Sequence, residues 1–581
     1  MAFSQRGSAQ FLSACRRPGR ASHPRYPFSK HALNRYRGQS ALFRALLGSL
    51  VILNAGILAE TDTQKSEHLV ATTNAGKTVG VGAGPSETNV RSIGFEHGAT
   101  LARAVCQSCH LFPEPALLDK ATWEKEALPF MGKWLGMSKM RLDLRPGGKY
   151  VEAAGLFPAF PILPAEDWEA ICKYYVEAAP AKPAPQPPHP GIHTGLKGFE
   201  TISPDFRFQV PLTTLVKIDA EKRRFYLGDA GTKTLSILDP QGNMMFSSPL
   251  DSPPVSLVFK GNHFYATLIG SVTPSDEPQG KIVEFERTGA GFQRASEPIN
   301  GLPRPTDAAF ADLNNDGKED VVICGFGNYL GRFSWFENLG DGKYREHVLL
   351  DRPGAIKAYV HDFNKDGRPD IIVMMAQARE GIFLFTNKGG GEFSMSPLVE
   401  FQPAFGSSYF ELVDFNHDGF IDILATNGDN GDLYVAPLKN YHGIRLYLND
   451  GRNNFRESWF FPLNGAYRAM ARDFDHDGNL DIAAISFYPD YDHAPEESFV
   501  FLKNRGGLEF DAFTFPDCKA GRWITMDVGD LDGDGAPDIV LGSFIRGPNK
   551  VPPAYSTDWE QQGPSFLILK NVYTRIRPAG P

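Results

Sequence analysis

Five acidic turns at near-regular spacing constrain this chain more than any other feature. DLNNDGKEDVVI begins at Asp312, DFNKDGRPDIIV at Asp362, DFNHDGFIDILA at Asp414, DFDHDGNLDIAA at Asp473 and DLDGDGAPDIVL at Asp530, at intervals of 50, 52, 59 and 57 residues. A second phrase keeps step with them: WFENLGDGKY, LFTNKGGGEF, LYLNDGRNNF and FLKNRGGLEF, with LILKN closing the series. A period of this size belongs to propeller blades or solenoids. The units read as short alternating strands split by Gly, Asp and Asn turns, with no convincing helix, which favours blades of about four strands around an axis. VKIDAEKRRFYLGDAGTKTLSILD (216–239) and VSLVFKGNHFYATLIG (255–270) read as two more units in which the aspartate turn is eroded. Two and five make seven blades, with six and eight still open. Closure is expected between FLILKN (566–571) and a strand near FRFQVPL (206–212).

The turn core is D-x-[ND]-x-D-G-x-x-D. Hard divalent cations need several oxygens at short range, and acids at positions 1, 3 and 5 of a curling loop converge on one point. Glycine at position 6 permits the sharp turn, because it takes positive φ without cost. The expected ligands are Asp312, Asn314, Asp316 and Asp320 with the Lys318 carbonyl in the first loop, and Asp362, Asn364, Asp366 and Asp370 in the second. They continue as Asp414, Asn416, Asp418 and Asp422; Asp473, Asp475, Asp477 and Asp481; and Asp530, Asp532, Asp534 and Asp538. An EF-hand is excluded, because its twelfth position is Glu, whereas here it is Ile323, Val373, Ala425, Ala484 and Leu541. Acidic turns that merely join strands are the plainer alternative, and five in register argue against it. Calcium, up to five ions in a structural role, is the expectation. These repeats resemble the FG-GAP/VCBS family, whose blades also build integrin α-chain propellers. The resemblance covers about residues 300–572 clearly and 200–300 loosely. It implies a β-propeller and leaves the substrate open.

Upstream, GATLARAVCQSCH, TWEKEALPFMGKWLG and PAEDWEAICKYYVEAAP have apolar residues at helical spacing, and AAPAKPAPQPPHPG (178–191) is a stiff boundary. Cys106, Cys109 and His110 form C-x-x-C-H, the attachment pattern of c-type haem. Two thiols so spaced reach both vinyl groups, and the histidine ligates iron from one side. A redox dithiol would need a βαβ setting, and zinc a second ligand pair; Cys172 alone does not supply one. The surroundings resemble a class I cytochrome c domain over about residues 92–180. In that family a methionine ligates iron on the far side. Met131 is the favoured candidate, with Met137 and Met140 as others, and Trp123, Leu128 and Trp134 would wall the haem. Methionine would raise the potential; histidine, of which His97 is nearest, would lower it. Core packing is the alternative role of each methionine.

The ends set the compartment. Residues 1–44 hold nine Lys or Arg and no Asp or Glu, although the whole chain carries a net charge of −9. An acidic body argues against nucleic acid and suits bound cations. An apolar run from Ala45 to Ala59 follows Arg44, so residues 1–59 read as a signal peptide or an N-terminal membrane anchor. Residues 60–91 then form a flexible tether, 92–180 the haem domain, 181–198 a Pro-rich linker, 199–573 the propeller and 574–581 a tail. Export to the periplasm or cell surface is expected.

Because each aspartate turn precedes a strand, the loop after that strand must emerge on the opposite face. CGFGNYLGR (324–332), TNGDNGDLYVAPLKNYHG (426–443), SFYPDYDHAPEES (486–498) and GSFIRGPNKVPPAYSTDWEQQG (542–563) lie there, with Tyr434, Tyr441, His442, Tyr488, Tyr491, His493 and Trp559 as candidate contacts. The alternative is that such loops only cover strand edges. No catalytic triad, phosphate loop or close acid pair is legible. Two function classes remain. In one, an exported haem electron-transfer protein uses its propeller to bind a small-molecule substrate or a redox partner of a respiratory chain. In the other, a cell-surface glycan- or protein-binding propeller is tethered to a cytochrome and has no catalysis of its own.

Overall fold

Blade 3 shows how one repeat becomes one sheet. Its inner strand Pro305–Ala311 turns through the aspartate loop and returns as Asp320–Gly325, and Arg332–Gly340 and Lys343–Leu350 follow outward, all antiparallel. The second strand carries a near-continuous apolar run because neighbouring blades cover both of its faces; it is buried along its whole length in six of the seven blades. The computed structural model describes residues 87–433, 437–549 and 551–573. The expected leader, most of the tether and the tail lie outside them.

Seven sheets of this kind form the ring, with inner strands Thr213–Asp219, Pro254–Lys260, Pro305–Ala311, Ala355–His361, Ser407–Val413, Ala466–Arg472 and Trp523–Gly529. The seven-bladed count is therefore the observed one. Inner-strand carboxylates stitch blade to blade. Asp527 Oδ2 accepts the Ile218 N–H at 2.8 Å beside Lys217, and Glu411 Oε2 accepts the Ala471 N–H at 2.8 Å beside Arg472.

Closure uses FLILKN as expected, with a partner that ends four residues before FRFQVPL. The strand that completes blade 7 is Phe199–Ile202, antiparallel to Phe566–Asn571. FRFQVPL is not the pairing strand; Leu212 makes only an isolated bridge to Phe544. A second short strand, Ile192–Thr194, pairs in parallel with Phe510–Thr514 of blade 6. The chain entering from the linker thus adds an outer strand to each of the last two blades. The long loop of blade 7 also carries a helix, Pro553–Gln561.

The preceding segment is helical. Its first helix, Glu87–Cys106, starts inside the stretch expected as tether and crosses the last helix, Ala165–Ala178. They cross at Gly98, where a Cβ would lie 2.4 Å from the Ala170 carbonyl oxygen, so only glycine permits the approach. Ala102, Trp123, Ile171 and Tyr175 form the core between them, with the Trp123 and Tyr175 rings 4.4 Å apart. The middle helix widens into a π turn over Trp123–Ala127, just before Pro129, which has no N–H to give the Lys125 carbonyl. Among the described residues no helix is long and apolar enough to cross a membrane.

Candidate functional site

The aspartate turns share one backbone. Position 4 has positive φ in every loop (Asn315 62°, Lys365 58°, His417 59°, His476 57°, Gly533 79°), and so does the glycine at position 6, at 81° to 91°. In the first loop Asp312 accepts the N–H groups of Asp316 at 3.1 Å and Gly317 at 2.8 Å, and Asp316 accepts that of Lys318 at 2.9 Å. The loops at Asp362 and Asp414 repeat these bonds. The side-chain oxygens at positions 1, 3 and 5 are thus held on one small turn, as a hard-cation site requires. The side-chain oxygens of Asp473, Asp475 and Asp477, and of Asp530, Asp532 and Asp538, each lie within 4.8 Å of one another. The donor set is all oxygen and fits calcium.

Position 9 has a second role. Asp320, Asp370, Asp422, Asp481 and Asp538 are fully buried, and one oxygen of each accepts a backbone N–H at 2.8 Å from Asn338, Asn387, Asn449, Asn504 or Asn571. These asparagines are the N of the second repeated phrase. In four loops the other oxygen takes the N–H at position 2, as Asp320 does from Leu313 at 3.0 Å. Desolvation pushes these carboxyls upward, Asp538 to about 6 and Asp481 to about 7. The asparagines escaped the reading of the sequence. Their signal was the asparagine that recurs in every copy of the second phrase, at a varying distance from the turn that strand pairing turns into contact.

The C-x-x-C-H group sits at the end of the first helix. Cys106 is its last residue, Cys109 is exposed and His110 is half-buried. His110 Nδ1 lies 2.8 Å from the Leu111 carbonyl, which can only accept, so Nδ1 carries the proton and Nε2 keeps its lone pair. Burial lowers the His110 pKa and keeps the ring neutral, the state a metal ligand needs. Burial also pushes the Cys106 thiol up to about 11, unlike the low-pKa thiol of a redox dithiol. These residues fit covalent haem, with two thiols and one imidazole on a helix end.

The distal candidates separate. The nine residues from His97 to Cys106 span about 14 Å of helix, and His97 Nε2 faces Asp167 at 3.6 Å. Met140 Sδ lies 3.9 Å from the Tyr329 hydroxyl of the propeller. Trp134, expected as a haem wall, packs on Phe157 at 4.6 Å and on Tyr329 at 6.1 Å. Met131 sits half-buried in the middle helix, and Met137 lies beside that helix at Gly132.

The helical segment is seated on the loop face opposite the aspartate turns. The Tyr441 hydroxyl donates to the Leu117 carbonyl at 2.8 Å, the Asp276 N–H donates to the Pro146 carbonyl at 3.2 Å, and Ala404 packs against the helical core. Asp276 also accepts the N–H groups of Tyr329 and Leu330, both at 2.8 Å, which fixes the docking loop of blade 3. Several expected contact residues therefore do other work. Tyr441 holds the helical segment, and His442 and Tyr488 are buried. Trp559 is buried with its Nε1 donating to the Lys519 carbonyl at 2.8 Å, and Tyr491 packs beside it. His493 is exposed against Asp490, and Tyr434 lies outside the described residues.

The FG-GAP-like repeat family matches residues 312–373, 362–425 and 473–541. The chain carries FG-GAP repeats in a seven-bladed, integrin-α-like propeller. It is 24% identical over 254 residues to the T-cell immunomodulatory protein homolog of Plasmodium falciparum, covering 33% of this chain and 35% of that one. It is 24% identical over 237 residues to mouse integrin alpha-7, covering 37% of this chain and 18% of the integrin. The chain thus spans about a third or less of these relatives' lengths. Among solved structures, BBS1N in complex with ARL6DN matches with a TM-score of 0.40 at 11% identity, covering 67% of this chain and 99% of that one.

Proposed function

We propose that the chain is a cell-surface recognition protein. Its calcium-braced propeller binds a protein or glycan partner and holds the helical segment in fixed orientation. The observation that carries this is the docking of that segment through Tyr441, Asp276 and Tyr329: the loop face already binds a folded element, and the stiff ring supplies the frame. The relatedness to integrin alpha-7 supports binding over catalysis. The test is retention of the full chain on glycan and surface-protein arrays, in calcium and in EDTA. Calcium-dependent retention is expected; a chain that binds no array member in calcium would overturn the reading.

A second reading has its own support, the His110 Nδ1 bond that leaves Nε2 free beside two thiols. Here Cys106 and Cys109 would hold haem c and His110 would ligate its iron. When bound, the group supplies one-electron chemistry, and the helical segment passes electrons to a redox partner or respiratory chain. The chain's own residues fix the imidazole tautomer and keep the ring neutral. A pyridine-haemochrome spectrum of protein matured in an exporting host tests it. A spectrum unchanged in C106S/C109S would sink covalent attachment.

A further inference from the structure

The five turns are not equivalent. The residue before the buried asparagine is Glu337, Thr386 and Leu448 in blades 3 to 5, but Lys503 and Lys570 in blades 6 and 7. The same two blades alone have an acid rather than asparagine at position 3, Asp475 and Asp532. Each lysine thus comes with one extra carboxylate. Their placement differs. Lys503 Nζ reaches three carboxylates of its loop, at 2.9 Å from Asp475, 2.7 Å from Asp477 and 3.2 Å from Asp481. Lys570 reaches a single acid of its loop, Asp532, although the acids converge in both loops, Asp473, Asp475 and Asp477 in blade 6 and Asp530, Asp532 and Asp538 in blade 7. The buried acid of blade 6 also departs from its counterparts. Asp481 Oδ2 has no hydrogen-bond partner, whereas that oxygen in the other four loops takes the N–H at position 2.

We propose that Lys503 is the resident cation of the blade 6 turn, and that this turn excludes the divalent ion the other four take. The inference rests on the calcium reading of those four loops. The ammonium stands where a metal would need the same oxygens, at distances of about 2.3–2.6 Å. A second cation there would face it at close range in a half-buried site. In blade 7 the lysine reaches one acid of the convergent set, Asp532, and leaves Asp530 and Asp538 without a lysine contact.

The test is calcium stoichiometry of the full chain by equilibrium dialysis, for wild type, K503M, K503R and K570M. The expected counts are four ions for wild type, five for K503M, and four for both K503R and K570M. Melting of K503M in EDTA is expected at a lower temperature than wild type, with calcium restoring it. Five ions in wild type, or four in K503M, would overturn the proposal and leave the calcium loops standing. No calcium in either would overturn the calcium reading and this inference with it. If K503M does not fold, the wild-type count decides.

Discussion

Blades 1 and 3 close the same inner hairpin by different means. In blade 3 the turn spends its length on Asp312, Asn314 and Asp316, gathered on one point by backbone N–H groups. In blade 1 the turn is a single 3₁₀ stretch, Ala220–Lys222, with Arg223 in the left-handed region. There the buried Asp219 faces Arg224 at 3.3 Å and Arg287 of blade 2 at 3.2 Å. Both hairpins place acid at the end of the inner strand, and both need a positive partner. Blade 1 takes it from side chains, while under the proposed calcium reading the turns of blades 3 to 5 take it from solution. Blade 6, with Lys503, stands between them.

The comparison breaks in a definite order. Calcium removal has the largest expected effect: each occupied site adds about 2.7 kcal/mol at free calcium a hundredfold above Kd. In EDTA, hydrogen exchange is expected to speed up at residues 312–320, 362–370 and 414–422 while 219–224 keep their protection. Equal loss in blade 1 would mean that the ions do not act locally. Next comes R224M, which strips a buried acid of one of its two partners and is expected to cost ~3 kcal/mol, equally with and without calcium. Urea unfolding in both conditions measures it.

D320N should cost ~1–3 kcal/mol, because an amide group replaces one of the two acceptors that hold Leu313 and Asn338. Its loss of calcium from a single site separates it from R224M. The smallest effect belongs to the opposite face. Glu497 of blade 6 is buried between Asn464 and the Asp490 N–H, and burial pushes its pKa up to about 7 from 4.5. A carboxyl with a raised folded pKa contributes stability below its unfolded value that is lost as pH rises through the folded one. E497Q should therefore flatten the stability profile between about pH 4.5 and 7, by on the order of 1–2 kcal/mol and independently of calcium.

Legibility in the sequence followed locality. The aspartate turns could be read because their acidic and amide side chains lie within nine residues, and a five-fold repeat makes a local pattern visible. Blade number followed from that count together with the two units at 216–239 and 255–270 in which the turn is eroded. The role of Asn338 and its counterparts was half visible: the phrase recurred, but its partner lies across a strand pairing. The closing strand was placed near FRFQVPL, and Phe199–Ile202 lies just before it; its position depends on where the linker brings the chain to the open edge of blade 7. The loop face was read as open surface, yet Tyr441 and Tyr329 are spent on the helical segment, a contact between residues more than 180 positions apart.

The amino-acid order by itself determined the repeat, the acidic oxygen set of its turns and the C-x-x-C-H group at a helix end. Each rests on spacing along one turn or one helix, where covalent geometry leaves little choice. The tertiary structure decided how the ring closes, that the helical segment sits opposite the aspartate turns, and that Lys503 enters its loop while Lys570 reaches only one acid of its own. Those outcomes depend on which side chains meet after strands pair and blades pack, and separation in the sequence does not encode that meeting.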